Sequence, residues 1–485
     1  MRYRTIVTFL VACALSLCPA WPARAAHGSW RTMTTGHFTL FSTMGDADTR
    51  QVARQLQGFE QTFGDALRTG DRMPDTPTLI YLIGARDFNA YLAPRPGLGG
   101  FFVSTHAYNL MVINADEPFK YVRVAVLHEF VHYVQRNTST MNFPPWYMEG
   151  NAELFSGFDL TKDRMEFGKL PYGVRINLKQ WIPVERLLAV KQSDPEYQSE
   201  TLAPQFYGEA WALVHYLFFD DKTLLSPTSR YLDATNAGVP EPEAFASSFP
   251  FDKAELDQRL RRFVAEGRIL VMHATLPEEV VIDALPITRI DAAESAMMLT
   301  RLALRTNPYS PALKVLAAEL SSERPSDPAV RALCARIAAH GLFKIQIDDL
   351  ADRYAAGGSD DAQVRIDIAD ALLTAPPKNM STAKALAMLS DLIQGDTPNI
   401  EAVELWMQAA ERTGTDPRQI IAALEPVRIR APHDTAILRS LARAAESAGN
   451  KEQARGFYNE IILVSSMPGE RLWAQKQADS RRLQH

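Results

Sequence analysis

The 485-residue chain, 46% apolar, is long enough for two or three domains with their own cores. Its formal charge of -6, with no basic tract to neutralise phosphates, sets nucleic acid aside as a partner. Cys13 and Cys18 fall in the N-terminal apolar stretch and leave Cys334 without an intrachain partner, so burial rather than disulfides must hold the fold.

Residues 1–25 read as a signal peptide. Arg2 and Arg4 precede an apolar run from Ile6 to Cys18, Pro19 and Pro22 break it, and Ala23-Arg24-Ala25 offers small residues for cleavage. The run is too short for an ordinary spanning helix. Leu17 departs from the small residue expected before a lipid-modified cysteine, so Cys18 is not expected to carry a lipid anchor. Export to the periplasm or the exterior is the expectation, with no transmembrane segment once the signal is removed.

Residues 37–43 (HFTLFST) predict a strand, the amphipathic stretch from Asp48 a helix, and residues 77–83 (PTLIYLI) a second strand. ARDFNAYL then reads as a short helix. Two strands joined by a long helix indicate an α/β start. The Gly97-Leu98-Gly99-Gly100 run lacks the Lys-Ser/Thr of a phosphate loop and leads into β-forming residues, so it predicts a turn into a hairpin of residues 101–103 and 109–113. His106 reads as a loop histidine.

The most informative stretch is residues 121–155. Within it His128, Glu129 and His132 spell HEFVH on a segment whose apolar residues Val122, Ala125, Val126, Phe130 and Val134 predict a helix over 121–136. Histidines at i and i+4 point the same way and can share a metal, with Glu129 beside them. Pro144 and Pro145 suit the start of a second helix, on which Glu149 and Glu153 again lie four apart. Two carboxylates so placed repel unless a cation lies near them. A metal gives them separate jobs: Glu149 as third ligand, and Glu153 as acceptor for the free ring N–H of a ligand histidine. Gly150 is expected to let this helix approach the HEFVH helix closely.

HEFVH followed by WYMEGNAE resembles the gluzincin metallopeptidases, most closely the peptidase-MA-like group of secreted bacterial proteins. The resemblance implies zinc held by His128, His132 and Glu149, with Glu129 as general base and Glu153 behind the ligands. It implies a thermolysin-like α+β zincin domain, in which the edge strand beside the metal helix binds a substrate's main chain. Phe101, Phe102 and Val103 are the candidates for that edge; packing of this hairpin into a core is the competing reading. Aminopeptidases of the same superfamily place an acidic residue on this strand, and GGFFVS has none, so the expectation is an endopeptidase acting on a peptide or protein substrate.

Farther along, PYGVRINL and WIPVERLLAV mark a short strand or loop and a helix, and FYGEAWALVHYLFF at 206–219 an apolar helix. By the same resemblance Tyr207, 58 residues after Glu149, matches the tyrosine that donates a hydrogen bond to the oxygen of the tetrahedral intermediate; His215 is the competitor. The metallopeptidase domain is expected to span 26–270, followed by a linker at 271–286.

Residues 434–462 place Leu438, Leu441, Ala442 and Ala445 on one helix and Ala454, Tyr458 and Ile461 on the next, across a Gly449-Asn450 turn. This resembles a tetratricopeptide repeat, and Pro398 and Pro432 stand one 34-residue period apart. Such pairs cover their apolar faces only by stacking, so an all-α helical-repeat domain is expected over 287–480, either binding a protein partner or capping the enzyme. The combined expectation is an exported zinc peptidase. Its rival is a noncatalytic envelope assembly factor that uses the repeats beside a vestigial zincin domain.

Overall fold

A computed structural model describes residues 30–36, 38–63, 78–92, 99–104, 109–138, 143–161, 164–275, 284–342, 347–355, 361–375, 379–394, 399–430, 434–465 and 468–480. The signal-peptide stretch, Gly97, Leu98, His106, Pro398 and Pro432 lie outside the described residues.

The N-terminal part is built on a six-stranded mixed sheet. Its strands begin with β1 (Arg31–Thr35) and β2 (Phe38–Ser42), which helix α1 (Asp46–Phe63) links to β3 (Thr78–Ile83). The short helix α2 (Ala85–Asp87) precedes β4 (Gly100–Ser104) and β5 (Asn109–Asn114). The order is β4-β5-β3-β2-β1-β9, where β9 is Thr288–Arg289. β2, β3 and β5 run parallel, whereas β4 and β5 form the expected antiparallel hairpin.

The strands at the centre of this sheet read as unbroken apolar runs because both of their faces are covered. Ile80 and Leu82 of β3, with Met111 and Ile113 of β5, pack on one side with Val52, Leu56 and Phe59 of α1. On the same side lie Val126, Phe130 and Val134 of α3 (Phe119–Thr138), the helix carrying HEFVH. The alternate residues Tyr81, Ile83, Leu110 and Val112 point the other way.

That second face is covered from far along the chain. Leu299, Leu302, Leu316 and Leu333 close over it from α11 (Ala292–Thr306), α12 (Leu313–Glu323) and α13 (Pro328–Ala339).

A second lobe packs around α4 (Pro145–Ser156), whose Pro144 N-cap and Pro145 at N1 match expectation. Hairpin strands β6 (Asp159–Thr161) and β7 (Arg164–Phe167) follow, then α5 (Val184–Ala189), α6 (Pro195–Gln198) and α7 (Ala203–His215). Helices α8 (Leu225–Asn236), α9 (Glu241–Ser248) and α10 (Lys253–Glu266) complete the lobe, with Trp146, Phe206, Trp211 and Phe263 among its buried residues.

Gly150 does allow a close approach, but to α7 rather than to α3. A Cβ there would lie closer than 3.0 Å to the Ala210 carbonyl and to Val214 Cγ2. Backbone cannot yield as a flexible side chain does, so Gly150→Ala is expected to cost about 1–3 kcal/mol. A denaturant melt checks this; a wild-type midpoint would show that α4 and α7 separate at little cost.

The described residues of the stretch read as a linker, 271–275 and 284–286, make contacts with the preceding elements. β8 (Met272–Thr275) pairs with β7, and β9 pairs with β1. Leu285 and Ile287 pack on the first core, while the Leu285 carbonyl accepts a 2.7 Å hydrogen bond from Arg50. Met272–Thr275 and Leu285 are therefore each bound to the sheet-and-helix region.

The C-terminal part is all-helical. It continues with α14 (Ile347–Ala355), α15 (Ala362–Thr374), α16 (Asn379–Leu389) and α17 (Ile400–Thr413). It ends with α18 (Pro417–Arg430), α19 (Thr435–Ser447), α20 (Lys451–Val464) and α21 (Pro468–Ser480). The expected turn between α19 and α20 forms at Gly449, with φ +79°, and Asn450 caps α20 by accepting from the Gln453 N–H. Leu438, Leu441, Ala454, Tyr458 and Ile461 are buried between the helices. Charged groups join this part to the sheet cover: Arg336 reaches Asp367 at 2.7 Å and Asp370 at 2.6 Å, and Arg305 reaches Glu401 at 2.8 Å. The chain thus has two parts, a mixed sheet-and-helix region and an all-helical region.

Candidate metal centre

His128 and His132 lie one turn apart on α3, and α4 crosses beside them carrying Glu149. Their Nε2 atoms are 3.2 Å from each other, and each is 3.3 Å from Glu149 Oε2. These three atoms form a nearly equilateral triangle. Ligand atoms at about 2.0–2.1 Å from a tetrahedral zinc would stand about 3.3–3.4 Å apart, so the donor set fits that ion without rearrangement.

The outer partners explain why these particular atoms converge. His128 Nδ1 lies 3.4 Å from Glu153 Oε1, and His132 Nδ1 lies 3.2 Å from Gln135 Oε1. A proton on each Nδ1, shared with these acceptors, leaves both Nε2 lone pairs facing inward. Two facing lone pairs repel unless a cation separates them. Glu149 Oε2 adds to the demand: it is buried and accepts no hydrogen bond of good geometry. A buried carboxylate oxygen without a donor is costly, and a shared cation removes that cost.

The charges respond accordingly. Burial opposes protonation of His128, yet the nearby Glu149 and Glu153 carboxylates raise its pKa well above the usual histidine value. Burial likewise works against charged His132, but the charge of Glu149 raises its pKa on balance. For Glu149 itself, burial would raise the pKa, but the two imidazoles hold it far below the ordinary carboxylate range. Cation-seeking groups thus balance one another where no metal is present.

Glu129 follows His128 on α3 and sits where β4 begins. A Cβ on Gly100 would lie 3.7 Å from Glu129 Cγ, which places this side chain against the start of β4. Burial raises its pKa, Glu149 and Glu153 add to that rise, and the histidines oppose it. Among the described residues β4 is paired on one side only, by β5. Phe102 packs toward the α3 core and Phe101 and Val103 toward the opposite one, while the backbone of β4 forms the sheet edge.

Tyr207, on the first turns of α7, faces the centre with its ring 6.2 Å from that of His128. His215 does not. It is fully buried, its Nε2 donates to the Leu270 carbonyl at 3.0 Å, and its ring stacks on Phe263. Burial lowers its pKa, as befits a neutral packed imidazole.

Residues 123–233 match the family described as Protein of unknown function (DUF1570). The chain carries a DUF1570 region. No curated protein and no solved structure matches the chain. The DUF1570 region opens at Arg123 on α3 and closes at Asp233 on α8, so it encloses His128, Glu129, His132, Glu149, Glu153 and Tyr207. It leaves out β4.

Two contributors within the DUF1570 region escaped the sequence reading. Gln135 stands three residues after His132, a helical neighbour position that could have suggested it, and its Nε2 also reaches the Met148 carbonyl of α4 at 3.4 Å. Tyr197 donates its hydroxyl to Glu149 Oε1 at 2.5 Å from 48 residues away, through a loop with no periodic signal.

Proposed function

We propose that the chain is an exported zinc-dependent peptidase, of gluzincin type, that cleaves peptide or protein substrates internally. The observation that carries this reading is the convergence of His128 Nε2, His132 Nε2 and Glu149 Oε2 at 3.2–3.3 Å, with Glu129 next to His128 in sequence and against the start of β4. Bound zinc supplies Lewis-acid polarisation and acidifies water. The protein's own groups do the remainder. Glu129 takes a proton from the attacking water and returns it to the leaving amine. The Tyr207 phenol donates to the carbonyl oxygen as negative charge builds there. Glu153 and Gln135 hold the two imidazoles in the tautomer that leaves Nε2 free. The β4 edge at Phe101, Phe102 and Val103 pairs with the substrate main chain as one added strand.

The leader at residues 1–25 directs the chain to the periplasm or the exterior in this reading. Among the described residues no helix is long and apolar enough to cross a membrane. The C-terminal helices act as tetratricopeptide-like pairs, and their inner members cap the sheet.

Digestion of an unbiased peptide library tests the reading. Internal cleavage that a chelator abolishes and zinc restores is expected, and Tyr207→Phe is expected to lower turnover with little change in KM, because that hydrogen bond belongs to the transition state. If the zinc-loaded protein cleaves nothing across the library, the noncatalytic binding role replaces this one.

A further inference from the structure

The third ligand candidate has two oxygens, and the structure treats them differently. Glu149 Oε2 faces His128 and His132, while Oε1 accepts the Tyr197 hydroxyl at 2.5 Å. Tyr197 is itself held in place. Its ring meets Tyr207 edge-to-face at 6.1 Å and lies 5.9 Å from Phe206, both on α7. Just before it in sequence, Asp194 and Glu196 are gripped by Arg186 of α5: Arg186 Nε donates to Glu196 Oε1 at 2.8 Å, and Nη2 to Asp194 Oδ2 at 2.9 Å and Glu196 Oε2 at 2.7 Å. The Lys191 N–H closes the loop on Asp194 Oδ2 at 3.0 Å. A planar guanidinium that binds both of these carboxylates fixes the start of the short helix carrying Tyr197 more firmly than its four residues could by themselves.

We propose that Tyr197 is a positioning residue for the metal centre. By occupying Glu149 Oε1, its phenol keeps this carboxylate to a single ligating oxygen and directs Oε2 at the histidines. A carboxylate without that partner is free to rotate or to offer both oxygens, which would fill the coordination position that water needs. Tyr197 and Tyr207 then divide the work: Tyr197 acts through the ligand, and Tyr207 faces the reacting carbonyl. The inference rests on the metal reading proposed above, and adds to it the Tyr197 hydroxyl and its Arg186 anchor.

The test compares full-length wild type with Tyr197→Phe, measuring zinc affinity by chelator competition and the visible absorption of the cobalt(II)-substituted forms. Loss of the phenol is expected to weaken zinc binding about 10- to 100-fold while one metal still binds at saturation. It is also expected to dim the cobalt bands, because a second carboxylate oxygen raises the coordination number above four. Wild-type affinity and an unchanged cobalt spectrum in a folded Tyr197→Phe would overturn the role of Tyr197 while leaving the metal centre standing. A wild type that binds neither metal would overturn both. If Tyr197→Phe does not fold, Arg186→Gln serves instead, since it keeps the phenol and loosens only its anchor. An intermediate loss of zinc affinity is expected there, and wild-type affinity in that variant would count against the proposal.

Discussion

Replacing Glu129 with glutamine is expected to cut turnover of a cleaved peptide by at least about a hundredfold while zinc content and folding stay close to wild type. The side chain is not among the converging ligand atoms; it packs against the start of β4. Glutamine keeps its size but offers no carboxylate to accept a proton from water. General-base transfer of this kind contributes about 10²- to 10⁴-fold to rate. Metal content measured in parallel keeps the interpretation clean. A zinc-loaded Glu129→Gln that turns over like wild type would remove Glu129 from the mechanism.

Ending the chain after Ile269 is expected to abolish folding, a larger effect than any single substitution described above. The cut deletes β8 and β9, which pair with β7 and β1, and it strips α11–α13 from the sheet. Trp30, Tyr81, Ile83, Phe88, Leu110 and Val112, all at most 5% exposed in the full chain, would then face water. At about 1.5–3 kcal/mol for each such side chain, their exposure costs roughly 10 kcal/mol or more, comparable with the whole stability of a typical domain. A chain ending at Leu342 keeps this cover and is expected to stay folded. Circular dichroism and size-exclusion chromatography of the two truncated chains decide the matter. A cooperative, monomeric melt from the chain ending at Ile269 would show that the sheet stands without its helical cover, and would leave the C-terminal helices free for partner binding alone.

This second expectation shows where sequence reading reaches its limit. The apolar runs at 78–83 and 109–114 announce strands buried on both faces, and HEFVH with Glu149 announces a shared ligand face, because both signals are local and periodic. Which segment covers the far face of a sheet is not local. Helical periodicity in residues 292–339 predicts helices there, but it does not say that Leu299, Leu316 and Leu333 close over Tyr81 and Val112. The same limit explains Gly150, whose need for space was legible while its neighbour, α7, was not. Tyr197 is the extreme case: a single tyrosine in a four-residue polar helix carries no pattern, and only the fold brings it to Glu149. His215 went the other way. Its place within the run FYGEAWALVHYLFF already pointed to packing, and burial against Phe263 agrees.

The claim on which the rest depends is that His128, His132 and Glu149 hold one metal ion. Elemental analysis of the full-length protein, prepared without chelators and given equimolar zinc, tests it most directly alongside His132→Ala and Glu149→Ala. The geometry predicts about one zinc per wild-type chain and loss of most of it in each variant, since removing one of three donor atoms 3.2–3.3 Å apart leaves only two converging on the ion. A folded wild type without zinc, or full occupancy in both variants, would contradict the account.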